Sequence, residues 1–337
     1  MAAQTVKQAF DAFNDELNLD PEERKEAQER HSEVTEVLAA AGLIATTFLQ
    51  GSFARKTMRK PLKDVDMVIV LHESYRDQWF GAGMGGPAAA MAAIEAAIRE
   101  TWPDAEFDVE KAPPKALQVT FADCRFTFDL VPAFEDLDGT EVFIGNRKTD
   151  EWEWSNTRAL RNLITERNLD TKGAFVRQVR MAKTFKDNNS AISSISSLAI
   201  ESFCYQAVAR KASHAEALAD TFEYAAAAVL QPVNDPTGVD DLSTDWTDDD
   251  RRAYAAAFSA VATQAREAIN LAGDNNYAAA IEIWHALLGD PFPEPEPQTE
   301  DEVFAAAPGG SISSTGRVVT SVYGAQPNRP ARSWRTR

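Results

Sequence analysis

Apolar residues recur along the first half of the chain with a period of two, broken by helical stretches. Val65–Leu71 reads VDMVIVL, rich in β-branched side chains and too short for a helix, which predicts a buried strand. Residues 125–132, RFTFDLVP, alternate Phe126, Phe128 and Leu130 with Thr127, Asp129 and Val131, predicting a second strand. Further strand-like runs fall at 116–121 and 141–144, with Asp123-Cys124 as the tight turn of the hairpin that carries Asp129. Helical periodicity covers residues 5–17, 22–41 and 87–101. Asp20-Pro21 supplies the N-cap and first helical position of the second of these, and Gly42 closes it. Val34, Leu38 and Ala41 mark the face expected to lie under the sheet.

From Asn156 onward only helices are predicted, at 156–167, 173–187, 194–211, 214–230, 248–272 and 275–288. Beyond Gly289 the chain turns to DPFPEPEPQTEDE and then to Gly, Ser and Ala, a composition that cannot bury enough apolar surface to fold alone. The expectation is an α/β protein: a mixed sheet with flanking helices over 1–150, a helical lobe over 151–291 and a flexible tail over 292–337.

Charges set inside the apolar pattern are the candidate chemistry. Asp64 and Asp66, at i and i+2 of a strand, share a face. Two carboxylates on one face repel unless a cation lies between them, and Mg²⁺, an oxygen-seeking ion that keeps substrate phosphates in its shell, meets that need. Alone, such a pair is equally well a turn residue and a strand-end residue in water. Gly51-Ser52 adds to it: glycine lets the backbone approach a ligand closely, and the N–H groups opening the next helix favour an anion such as a triphosphate. Arg55, Lys56, Arg59, Lys60 and Lys63 make the following connector positive, and Asp129 offers a third carboxylate from a neighbouring strand. Arg177, Arg180, Lys183 and Lys186 recur along one side of a later helix, ordinarily a solvated basic face.

Gly51-Ser52, then Asp64-Val65-Asp66, then Asp129 on a strand resemble the polymerase-β-like nucleotidyltransferases. The fuller string Gln50-Gly51-Ser52-Phe53, Thr57 and Lys63-Asp64-Val65-Asp66 is similar, more narrowly, to the bacterial cGAS/DncV-like nucleotidyltransferases. The resemblance spans residues 30–292 and implies a polymerase-β-like core packed against a C-terminal helical bundle. It implies that Asp64, Asp66 and Asp129 hold two Mg²⁺ ions, with Mn²⁺ as a substitute, and that Gln50, Gly51, Ser52, Lys183 and Ser197 bind the nucleotide, with Ser196 as the alternative to Ser197. The Asp235-Pro236 segment would then lie near the acceptor base, although as a sequence it reads equally well as a capped turn. ATP and other NTPs are the implied substrates, a cyclic di- or trinucleotide second messenger of anti-phage signalling the implied product, and regulatory or effector proteins of a defence operon the implied partners.

Composition narrows this picture. Among 337 residues, 34 Lys and Arg face 52 Asp and Glu, a formal charge of −18. That balance counts against stable binding to a nucleic-acid backbone, which depends on neutralising phosphates, and favours free nucleotides. No apolar run approaches a membrane span, and the N-terminus shows no signal peptide, so a cytoplasmic protein is expected. The two cysteines form no CxxC pair, and His31, His72, His214 and His285 show no metal-ligand spacing. Gly81–Gly86 has the form of a dinucleotide fingerprint, but residues 72–80 separate it from the strand, and a mobile active-site loop or an idle linker is expected instead. Three alternatives share parts of the pattern: transfer of a nucleotide to a protein or small molecule, an inactive nucleotide-binding regulator, and an RNA-tailing enzyme.

Overall fold

The computed structural model describes residues 2–81, 85–108 and 112–296, with one pair of short strands at 311–312 and 318–319. The middle of the glycine-rich loop and nearly all of the tail lie outside the described residues.

The chain opens with β1 (Ala2–Ala3) and α1 (Val6–Leu17). Thr5 and Gln8 cap α1 reciprocally, each side chain accepting from the other's backbone N–H. Next comes α2 (Pro21–Ala40), which starts on proline and stops at Gly42, whose φ of +69° few other residues tolerate. Its buried face is Ala27, Arg30, Val34 and Leu38; Ala41, expected on that face, is exposed because the helix has ended. Arg30 can be buried because its guanidinium lies 4.6 Å from the Phe121 ring and donates to Asp123.

Then follow β2 (Ile44–Leu49), the single turn α3 (Gly51–Ala54), β3 (Asp64–Leu71), α4 (Arg76–Trp79) and α5 (Gly86–Thr101). The sheet is completed by β4 (Glu106–Phe107), β5 (Leu117–Thr120), β6 (Thr127–Glu135), β7 (Val142–Asn146) and β8 (Glu151–Ser155). Its order is β2-β3-β6-β5-β4, and β7 and β8 extend it from the far end of β6. Within this sheet the β3–β6 pair is parallel and the other pairs are antiparallel. Two strands lie outside the sequence expectation. β4 has two residues, too few for a pattern, and in β8 the alternation of Trp152 and Trp154 with charged residues is itself a strand signal.

The sheet's two faces differ. Val65, Met67, Ile69, Phe128, Leu130 and Phe134 point into a large core shared with α2 and α5. Val68, Val70, Val131 and Ala133 point to the other face with Val142 and Ile144, a much smaller apolar patch. By strand alternation Asp66 and Asp129 belong to this second, thinly covered face.

The second half is helical: α6 (Thr157–Asp170), α7 (Phe175–Asn188), α8 (Ser197–Ala207), α9 (His214–Ala228), α10 (Asp248–Gly273) and α11 (Tyr277–Leu288), closing with β9 (Glu294–Pro295). The first helix and the stretch after α11 both enter this core. Phe10 and Phe13 of α1 pack edge-on against Phe292, and β9 pairs with β1. The first residues of the expected tail are ordered into the fold: Phe292 is wholly buried, and the backbone stays paired to Glu296, whose N–H donates to the Ala3 carbonyl. A single aromatic residue among prolines suffices to hold this stretch once α1 and α11 offer a pocket. Among the described residues no helix is long and apolar enough to cross a membrane.

Candidate active site

Residue pairing between β3 and β6 sets Asp66 directly beside Asp129. One strand further, Gln118 of β5 lies in register with Asp129, and its Nε2 donates to Asp129 Oδ1 at 2.9 Å. On the other side, the N–H of Gln50, just past the end of β2, donates to the Asp66 carbonyl. Asp64 precedes this row by two residues, on the same face, at the exposed start of β3. The three aspartates thus form an edge whose charges work against one another. The Asp66 carboxyl is pushed up to about 6 by burial, then by the charges of Asp64 and Asp129, with Arg55 opposing. Asp129 is likewise raised, first by burial and then by Asp64, against the hydrogen bond from Gln118.

Gly51 is required where it stands. Its φ is +64°, and a Cβ there would lie 1.7 Å from Asp66 Oδ2. The Gly-Ser turn and the carboxylate edge are therefore in direct contact. The Ser52 carbonyl accepts from the N–H groups of Thr57 and Met58, folding the connector back over α3. Beside this turn opens a cleft of about 540 Å³, lined by Ser52, Lys63 and Asp64 from one side and by Lys183, Asp187 and Ser197 from α7 and α8 on the other.

The structure separates the remaining sequence candidates. Ser197 faces the cleft, whereas the Ser196 hydroxyl is used as the N-cap of α8, accepting from Ala199 N–H. Gln50 Oε1 accepts from the Thr157 hydroxyl at 2.9 Å, tying β2 to α6, and its side chain is not part of the cleft wall. Lys183 is almost fully buried; its Nζ donates to Thr57 Oγ1 at 3.2 Å and lies 3.6 Å from Glu201 Oε2. Asp235 is buried and spends its carboxylate on Thr237 and the N–H groups of Val239 and Asp240, so the capped-turn reading describes what its side chain does.

The basic connector differs most from expectation. Arg55 grips Glu201 of α8 with two hydrogen bonds of 3.1 and 3.0 Å, Arg59 binds Thr184 and Asp187 of α7, and Lys60 meets Asp20 at 3.3 Å. Three of the five cations hold elements together; Lys56 and Lys63 remain exposed. On α7, Arg180 and Lys183 are buried rather than solvated, Arg180 donating to Asn14 and Asn18. Glu201 and Gln118 escaped the sequence reading. Glu201 had a signal, a lone carboxylate in the apolar run SLAIESFCYQA, the same feature that singles out Asp129.

Among the described residues no group of three or more Asp, Glu, His or Cys side chains is gathered closely enough to hold a metal ion by itself. The donor set nevertheless fits a hard divalent cation: crowded carboxylate oxygens that raise one another's proton affinity, on an edge whose first member, Asp64, lines a cleft from which phosphate oxygens can complete the shell.

A mixed sheet with paired carboxylates on adjacent strands, a glycine turn pressed against them and a helical lobe across the cleft is the polymerase-β-like nucleotidyltransferase fold. Residues 4–168 match the Second Messenger Oligonucleotide or Dinucleotide Synthetase domain family. Members of this family are nucleotidyltransferases that use divalent metal ions. Solved structures share the fold over most of the chain. The CdnC:HORMA-deltaN complex of E. coli MS115-1 superposes with a TM-score of 0.68 at 16% identity, covering 85% of this chain and 98% of that one. The Bradyrhizobium diazoefficiens CD-NTase CdnG with GTP gives 0.64 at 16%, covering 84% and 94%. Apo DncV of Vibrio cholerae gives 0.63 at 12%, covering 86% and 96%. No curated protein matches the chain by sequence.

Proposed function

We propose that this protein joins nucleoside triphosphates into a cyclic di- or trinucleotide second messenger, as part of anti-phage (CBASS) signalling in the cytoplasm. The observation that carries the proposal is the register of Asp66 beside Asp129, with Gly51 in contact with Asp66 and a triphosphate-sized cleft alongside. Asp64, Asp66 and Asp129 would hold two divalent ions, Mg²⁺ or Mn²⁺, which when bound acidify an attacking ribose hydroxyl and neutralise the pyrophosphate leaving group.

The chain's own groups do the rest. Ser52 and Ser197 both line the cleft and serve as hydroxyl donors to the donor triphosphate, and Lys183 and Lys63 contribute positive charge. Gln118 fixes one oxygen of Asp129, leaving the other to orient the attacking hydroxyl. Held in line, the α-phosphate is attacked and pyrophosphate leaves. A linear product that turned over in the same cleft would be attacked again, closing the ring. The 1–150 and 151–291 segments act in this reading as catalytic and nucleotide-clasping lobes.

NTP substrates and a protein regulator also find support in the relatives: E. coli CdnC has been solved with ATP and with HORMA-deltaN, and DncV and CdnG with GTP. The net charge of −18 favours free nucleotides over RNA or DNA. The test is incubation of purified protein with labelled ATP, GTP, CTP and UTP and Mg²⁺ or Mn²⁺. A phosphatase-resistant product, lost in Asp64→Asn/Asp66→Asn, is expected. Label passing instead to a protein or small acceptor from a host lysate would redirect the proposal to nucleotide transfer onto that acceptor.

A further inference from the structure

Glu201 is wholly buried in α8 and faces two cations at unequal distance. Arg55 holds it with a pair of bonds at 3.0 and 3.1 Å; Lys183 stands off at 3.6 Å, beyond a normal hydrogen bond, with Thr57 Oγ1 at 3.2 Å as its nearer partner. All three side chains are at most 10% exposed. Arg55 has Asp66 and Asp235 as further counter-charges, whereas the carboxylate that supports the charge on Lys183 is Glu201, beyond hydrogen-bond range. A buried cation so loosely matched is costly unless another anion can reach it. Lys183 is also the member of the cluster that lines the cleft, together with Ser52 and Ser197.

We infer that Glu201 is a positioning residue for nucleotide binding: it keeps Arg55 as a fixed bidentate partner and Lys183 as an exchangeable one, holding the lysine charged at the cleft wall until a triphosphate oxygen takes it over. The inference rests on the nucleotide reading of the cleft. Through Arg55, which caps the turn containing Gly51 and Ser52, the same carboxylate joins the phosphate-binding turn to the helix that begins with Ser197.

The groups facing Lys183 define a readout that a merely structural role would not move. They are Glu201 and Cys204 from α8 and Arg55, Thr57 and Arg59 from the connector. Burial lowers the proton affinity of Lys183, Glu201 restores part of it, and Arg55 and Arg59 oppose it. Cys204, its thiol pushed up to about 12 by burial, stays neutral well past physiological pH. With Glu201→Gln only cations and neutral groups remain, so Lys183 loses its proton at lower pH and the triphosphate loses its partner as pH rises.

The experiment measures the affinity of a fluorescent ATP analogue with Mg²⁺ from about pH 7.5 to about pH 9.5, as the ratio of variant to native protein. Glu201→Gln is expected to bind nearly as the native protein at the low end and about tenfold more weakly at the high end. Glu201→Asp should keep the ratio flat, and adding Lys183→Arg to Glu201→Gln should flatten it again. A ratio that is equal at every pH for Glu201→Gln would overturn the inference. Should that variant not fold, ¹³C-lysine NMR of the native protein decides: the Lys183 signal must move when the analogue is added, and an unmoved signal counts against the exchange. Native protein that binds no analogue at any pH would defeat the nucleotide reading itself, a result distinguishable from failure of the Glu201 role.

Discussion

The carboxylate edge and the Arg55–Glu201–Lys183 cluster stand on either side of the Gly51–Ser52 turn and are built on opposite terms. At the edge, Asp66 and Asp129 lie side by side with like charge, which Arg55 and Gln118 partly relieve. In the cluster, Glu201 is more deeply buried than either aspartate, yet Arg55 and Lys183 outweigh its burial and hold its carboxyl down at about 2. Like charges left together carry a standing cost that a ligand can remove; opposite charges brought together hold elements in place. The edge is where chemistry is to be sought, and the cluster is what keeps the edge and the helical lobe in register.

The contrast can be broken most severely at the edge. Asp66→Asn should lower nucleotidyl transfer by about a thousandfold or more, roughly 4 kcal/mol of barrier, while the thermal midpoint holds or rises because a repelled charge has gone. Turnover assays paired with melting curves would check both halves. In the cluster the pattern inverts: Arg55→Met leaves Glu201 buried with a distant lysine as its remaining cation and should cost about 3–5 kcal/mol in denaturant unfolding, most of it recovered in Arg55→Met/Glu201→Leu.

The two regions should also respond to pH with opposite sign. Asp66 is raised from an ordinary 3.8 to about 6, so the stability tied to its protonated form is full below 3.8 and is lost as pH rises through 6, at most about 3 kcal/mol. Mg²⁺ should restore that loss above pH 6 and have little effect below it, which calorimetric melts at several pH values would show. Glu201 is depressed from 4.5 to about 2, so its contribution is present above 4.5 and fades as pH falls through 2. The smallest test concerns the backbone. Gly42 and Gly51 both have positive φ, but nothing stands within 4 Å of a Cβ at Gly42. Gly42→Ala should cost only about 1–2 kcal/mol by unfolding, whereas Gly51→Ala must also displace Asp66 and should lose activity.

How far the site could be read depended on whether its cause was local. The strands of Asp66 and Asp129 were legible because a charge interrupts a period-two apolar run, and the hairpin of β5 and β6 followed from its turn. Glu201 carried the same kind of mark on a helix and could have been singled out with Asp129. The connector could not be read so simply. Five cations in a row look like a phosphate patch, yet Arg55, Arg59 and Lys60 are claimed by Glu201, Asp187 and Asp20, residues distant in the chain. Phe292 among its prolines looked like tail because the rings that receive it, Phe10 and Phe13, lie at the other terminus.

By itself, the sequence determined the elements, the mixed α/β plan with a helical second half, and the residue types able to handle phosphate and a divalent cation, since strand alternation, helical period and turn chemistry act between near neighbours. Tertiary structure alone decided which charges face each other. Parallel pairing of β3 and β6 set Asp66 against Asp129 rather than a neighbour one residue away. Packing of α7 and α8 against the connector converted most of a basic stretch from ligand contact to scaffold. Coulomb energies depend on separation and burial, and neither can be read from distance along a chain.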